Sequence, residues 1–177
     1  EGARFGSDGV QFGNAVIHSF FAESFARMQA DVLFIGPSAH LTKLHASAFT
    51  DATIGRLVVQ RNTALTDVAL AGAKLGQVEL TGNAVTSFNA SSFAQAQLGG
   101  ELRIDEAALH TIADGAFQGA SIQGDLVFAG ATAMSKIHAF AFQGALVEGN
   151  LRFPTGSQLT LLVANAFASV TVAGDLD

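Results

Sequence analysis

No cysteine, tryptophan or tyrosine occurs in this sequence, and proline occurs only twice. Without cysteine there is no disulfide and no thiolate metal site. That absence suits a reducing compartment and a disulfide-free repeat protein outside the cell equally. Basic residues are scarce, 9 Lys and Arg against 15 Asp and Glu, for a net charge of -6. A nucleic acid or an anionic membrane surface would need a basic stripe. No apolar run reaches the ~18 residues of a membrane-spanning helix, and no segment reads as a signal peptide. The chain begins at Glu1 and stops at Asp177 inside a repeat, which reads as a piece of a longer protein.

What is present is repetition. The 177 residues are 49% apolar and include 15 Phe and 19 Gly. Phe without Tyr suggests one large apolar peg used again and again at an equivalent site. The stretch 102–124 is followed at once by a second version of itself, 126–149. Each copy has an alternating pair (Leu102/Ile104; Leu126/Phe128), a second apolar pair (Leu109/Ile112; Met134/Ile137), then Ala-Phe (Phe117; Phe142). A period in the twenties marks a solenoid, in which one unit cannot bury its apolar face alone and neighbours stack to do so.

The alternating pair recurs at Val10/Phe12, Val32/Phe34, Leu57/Val59, Val78/Leu80, Leu102/Ile104, Leu126/Phe128 and Leu151/Phe153, and restarts at Leu176. The steps between first members are 22, 25, 21, 24, 24, 25 and 25 residues. Period 2 puts both apolar side chains of a pair on one face of a strand, and stacked strands form a parallel sheet with one face open. Five residues after each second pair comes the peg: Phe25, Phe49, Phe93, Phe117, Phe142 and Phe167. Counting five on from Val68 reaches Ala73 instead, so a local pinch is expected there. Frequent Gly excludes long helices, while a short helical or 3₁₀ turn on the outer side is expected.

At these residues the pattern resembles leucine-rich repeats. The frame Val78-x-Leu80-x-x-Asn83-x-Val85-x-x-Phe88 fits without a gap, and 102–112 fits with Ala107 in place of Asn. The I-x-x-x-A-F-x-G segments at 112–119 and 137–144 are similar to the BspA-like, or Treponema-type, subfamily of bacterial and protist surface proteins. The asparagine position is Asn only at Asn62 and Asn83; elsewhere it falls on Ala15, Pro37, Ala107, Ala131 and Gly156. The resemblance implies a right-handed solenoid over 1–177, one segment of seven to eight coils, mainly β or α/β, with the parallel sheet on a concave face. It also implies binding of a protein or glycan on that face. The rival fold is a parallel β-helix of the same coil length.

On such a sheet the outward residues are the candidate partner-binding set. The middle column is Gln11, Leu33, Val58, Glu79, Arg103, Val127 and Arg152. One flank carries Asp31, Arg56, Gln77, Glu101, Asp125 and Asn150, and the other Ile35, Gln60, Thr81, Asp105, Ala129 and Pro154. Leu33, Ile35 and Val58 form an expected apolar cluster, and Glu79 and Arg103 stand close enough to pair. The bland alternative is a solvated sheet whose aliphatics only serve strand propensity.

No catalytic set emerges. The five histidines, His18, His40, His45, His110 and His138, have no metal-ligand spacing and read as solvated outer-face residues. Glu101, Asp105 and Glu106 read as surface charge, with nothing to bury one of them. Asn89-Ala90-Ser91 is a glycosylation triplet. The expected function is a non-enzymatic binding module of a surface or secreted protein, without cofactor or membrane insertion. The alternative is a structural spacer, and open ends expose core and invite end-to-end self-association.

Overall fold

The computed structural model describes residues 4–5, 9–13, 16–45, 47–90 and 92–177. They form a parallel β-solenoid of about seven coils, without a helix among the described residues. Each coil contributes to three ladders in turn. The first ladder holds the alternating pairs, through Val10–Phe12, Gln29–Ile35, Thr53–Gln60, Lys74–Thr81, Leu102–Asp105, Leu126–Phe128 and Leu151–Arg152. The second ladder is made of two-residue strands at the second apolar pairs: Ser19–Phe20, Lys43–Leu44, Asp67–Val68, Ser87–Phe88, Thr111–Ile112, Lys136–Ile137 and Leu161–Leu162. The third follows each peg, at Gln97–Leu98, Ser121–Ile122, Leu146–Val147 and Thr171–Val172, and in earlier coils as the leading part of the long strands. Every pairing is parallel, because the same segment of one coil always lies beside the same segment of the next.

The mainly β solenoid is thus the expected fold, with two differences. Strands line three sides of the coil rather than one. The outer side has no helical turn among the described residues; it has hydrogen-bonded turns in which the peg carbonyl accepts from the N–H three residues on, as in Met28 to Phe25 (3.1 Å) and Ala120 to Phe117 (3.0 Å).

The core is one continuous apolar column. The pegs Phe49, Phe93, Phe117 and Phe142 are fully buried, as are Leu57, Leu80, Leu102 and Leu126. Peg rings stack coil on coil, with centroids 5.0 Å apart for Phe25 and Phe49, 4.7 Å for Phe93 and Phe117, and 4.9 Å for both Phe117–Phe142 and Phe142–Phe167. This is the offset-stacked geometry that an aromatic column favours.

The column is interrupted once, at the expected pinch, and the residue there is not Ala73. Leu70 takes the peg position. Its N–H donates to the Ser92 carbonyl, as the Phe93 N–H does to the Ala116 carbonyl, and its own carbonyl accepts from Ala73 (3.0 Å). The residue two beyond each peg has positive φ: Arg27, Asp51, Gln95, Gly119, Gly144 and Ser169, and likewise Gly72, two beyond Leu70. Three residues are therefore missing between Val68 and its peg. A shorter side chain fills the narrower coil, and the second ladder is split here, between Asp67–Val68 and Ser87–Phe88.

Candidate functional site

The outward residues of the first ladder follow from strand register. Gln11 pairs with Phe34, Phe34 with Val58, Val58 with Glu79, Glu79 with Arg103, Arg103 with Val127 and Val127 with Arg152. The expected middle column is present except in one strand. Leu33 and Ile35, expected outside, are inside and fully buried, paired with the core residues Leu57 and Val59. Val32 and Phe34 take the outer face, half-buried. The strand reads Val-Leu-Phe-Ile, with no polar residue to mark a face, and a one-residue slip exchanges every side chain. Coil length carries the missing signal. Taking Leu33 as first member makes the first two steps 23 and 24 residues rather than 22 and 25.

Val58 points outward yet is only 6% exposed and stands apart from the core cluster. Val32, Phe34 and Val58 thus make a small apolar patch at the Gly9 end of the face. Charge adjoins it, in the strand of Val58 itself and in the next. Arg56 Nη2 donates to Glu79 Oε2 at 2.7 Å, so Glu79 pairs with Arg56 and not with Arg103. A depression of about 80 Å3 is lined by Arg56, Gln77, Glu79, Glu101 and Arg103. Gln60, Thr81 and Asp105 form the expected flank, in register with one another. Arg152 lies exposed, with Nη1 3.4 Å from Asp125 Oδ2. The Asp125 carboxyl is held below the usual carboxylate range, chiefly because the Asn150 N–H donates to it at 2.8 Å.

Glu106 is not surface charge. It is fully buried, and it ends a ladder of polar side chains inside the coil wall. Asn62 Nδ2 donates to Asn83 Oδ1 at 2.9 Å, and Asn83 Nδ2 to Glu106 Oε1 at 2.6 Å. The Asn83 N–H adds a bond to Glu106 Oε2 at 2.8 Å. Both amides also donate to strand carbonyls, of Ile35 at 3.2 Å and Val59 at 2.9 Å. Burial pushes the Glu106 carboxyl up to about 7; the Asn83 bonds oppose this and Asp105 adds to it. The asparagine position in this coil is therefore Glu106, one residue earlier than the gapless frame places it. No solvent reaches this carboxyl, so its raised pKa belongs to a structural link between coils.

The histidines do not converge. His18, His40 and His110 are exposed, His45 and His138 half-buried, and the nearest pair, His18 and His40, have rings 5.5 Å apart. No group of three His, Asp or Glu that could hold a metal lies among the described residues. No helix among them is long and apolar enough to cross a membrane. Asn89 is exposed and donates to Asp67 Oδ1 at 2.8 Å; Ser91 of its triplet lies outside the described residues, as does Ala15 of the asparagine position. Comparison with protein-family models, curated proteins and solved structures finds no match.

Proposed function

We propose that the chain is a non-enzymatic binding module that presents the outer face of its first ladder to a macromolecular partner, protein or glycan. The carrying observation is the apolar patch of Val32, Phe34 and Val58 beside the Arg56–Glu79 pair. A rigid sheet holding apolar side chains outward next to fixed charges matches the centre and rim of a protein interface, and it favours protein over glycan here. Stacked coils fix these groups before binding, so little ordering cost accompanies association. The resemblance to BspA-like leucine-rich repeats supports the same reading, with adhesion at a cell surface or after secretion as the setting.

The Phe34→Asp and Arg103→Glu variants test it. Each is introduced singly and used to capture biotinylated surface proteins beside the parent chain. The expected result is loss of the parent's captured bands with an unchanged melting temperature. Retention of every band in both variants favours the second reading, a spacer with no ligand of its own. At the Asp177 end, Leu159, Leu161, Leu162 and Leu176 are 42–63% exposed, which supports end-to-end contact between copies. Sedimentation of Leu162→Lys against the parent checks this, a monomeric variant beside an associating parent being expected.

A further inference from the structure

A second and chemically different depression lies on the third ladder, around the corner from the apolar patch. It is an open groove of about 580 Å3 that crosses the coils. That lies within the ~300–1,000 Å3 typical of ligand sites. Its wall is built in register: Thr53 pairs with Lys74, Lys74 with Gln97 and Gln97 with Ser121, so one polar side chain per coil points the same way. Gln95 and Gln123 complete the lining. Its depth comes from the corner glycines. A Cβ on Gly76 would fall onto the Gly55 carbonyl oxygen, so the backbone there is bare and consecutive coils touch directly.

The wall's polar groups are largely unengaged. Some long polar side chains elsewhere are bonded along the stack, as Gln118 Nε2 is to Gln143 Oε1 at 2.9 Å and Lys43 to Asp67 at 2.7 Å, and Gln95 at the groove's edge donates to the Gln118 carbonyl at 3.3 Å. In the groove, the side chains of Thr53, Lys74, Gln97, Ser121 and Gln123 make no hydrogen bond or ion pair with the described residues. Thr53, Gln97 and Ser121 bring hydroxyl or amide groups on three of four successive coils, Lys74 standing on the fourth, and Gln123 adds an amide at the edge, so the wall offers both donors and acceptors. Among the described residues that line it, Lys74 is the sole charge.

We propose that this groove binds a neutral oligosaccharide lying across the coils. Sugar hydroxyls are each donor and acceptor, which is what amide and hydroxyl side chains repeated at the ~4.8 Å strand spacing can meet. An extended peptide that binds by strand addition needs a free strand edge, and a proline-rich one needs an aromatic-lined groove, which this lining lacks. Here the strands beneath are paired on both sides, Gln97–Leu98 with Lys74–Leu75 and with Ser121–Ile122, so no backbone edge is offered. A polyanion would need more than one cation.

Gly99 provides a clean block. A Cβ there has nothing nearer than Gln123 Oε1 at 3.8 Å, so a long side chain at this site enters the groove without disturbing the coil. The whole chain is titrated by isothermal calorimetry with cellohexaose, xylohexaose, laminarihexaose, mannohexaose and chitohexaose, and with a pool of extended neutral peptides. The expected result is binding of at least one hexasaccharide. It should weaken at least tenfold in Gly99→Met and in Gln97→Ala/Gln123→Ala, and stay within twofold in Phe34→Asp and at raised salt concentration. Melting curves confirm that each variant is folded. Binding of none of the glycans, indifference to Gly99→Met, or preference for the peptide pool overturns the proposal. So does weakening at raised salt concentration, which would make the ligand an acid, or loss in Phe34→Asp, which would place it on the first ladder.

Discussion

The coils through Thr81 and those from Gln97 onward solve one corner differently. In the earlier group the third-ladder strand runs straight into the first, as Gln29–Ile35, Thr53–Gln60 and Lys74–Thr81. Two outward residues, such as Gly76 and Gln77, separate the inward Leu75 from the inward Val78. In the later group three residues intervene, as 123–125 do between Ile122 and Leu126, and the strand breaks into two. The change is visible in the register. Gln97 aligns with Lys74, 23 residues earlier, whereas Leu102 aligns with Val78, 24 earlier. Gly100 absorbs the added residue.

The adhesion between coils changes across the same region. The buried Asn62–Asn83–Glu106 ladder joins the coils of Leu70, Phe93 and Phe117, so it bridges the break on the Phe93 side and runs beside the first stacked pair; in the later coils the rings stack alongside a more exposed Asp125–Asn150–Asp175 ladder. The lesson is that a solenoid needs a column of like groups to hold register, and the column can be aromatic or polar. A buried polar column pairs particular groups, so it specifies register more strictly than it adds stability; at its first rung Asn62 Oδ1 has no partner among the described residues.

The sharpest way to break this contrast is Phe117→Ala. It removes a ring stacked on both neighbours, with an expected loss of about 3–5 kcal/mol in chemical denaturation. Hydrogen exchange should place the opening in the coils of Phe93, Phe117 and Phe142, the Asn83–Glu106 link included, and leave the coils of Phe25 and Phe49 protected, since each coil contacts only its neighbours.

The next effect is on the polar column. Glu106 binds its proton more tightly in the folded chain, at about 7, than its ordinary value of 4.5. Its contribution is therefore fully present below about 4.5, declines as pH rises and is gone above about 7. The span corresponds to about 3 kcal/mol. Denaturation midpoints measured between those two limits should fall with rising pH in the parent and lie flatter in Glu106→Gln.

Smaller effects sharpen the corner comparison. Gly76→Ala should cost about 1–3 kcal/mol, because its methyl meets the Gly55 carbonyl. Gly99→Ala, with open space at its Cβ, should fall within about 0.5 kcal/mol of the parent. Smallest of the destabilising changes is Gly144→Ala: φ is +64° with nothing near the Cβ, so the cost is backbone strain alone, about 1 kcal/mol by thermal melt.

The repeat, the pegs and the alternating pairs were legible in the residues themselves. Their period is local, and apolar side chains at fixed spacing have one economical burial. The solenoid, the pinch after Val68 and most of the outward column, including Glu79, Arg103, Val127 and Arg152, follow from that periodicity. Three things were decided only by coil lying on coil. Leu33 and Ile35 face inward because their partners Leu57 and Val59 do, and four successive apolar residues carry no preference of their own. Glu106 is buried because an amide in the preceding coil supplies its hydrogen bonds, and no property of the glutamate announces that. The Gln97 groove exists because glycines from neighbouring coils meet at one corner, which is a relation between residues 21 to 24 apart rather than a pattern within any one of them. Local spacing fixes which side chains can be buried together. The stacking of one coil on the next fixes which face each strand turns inward and which polar groups remain for a partner.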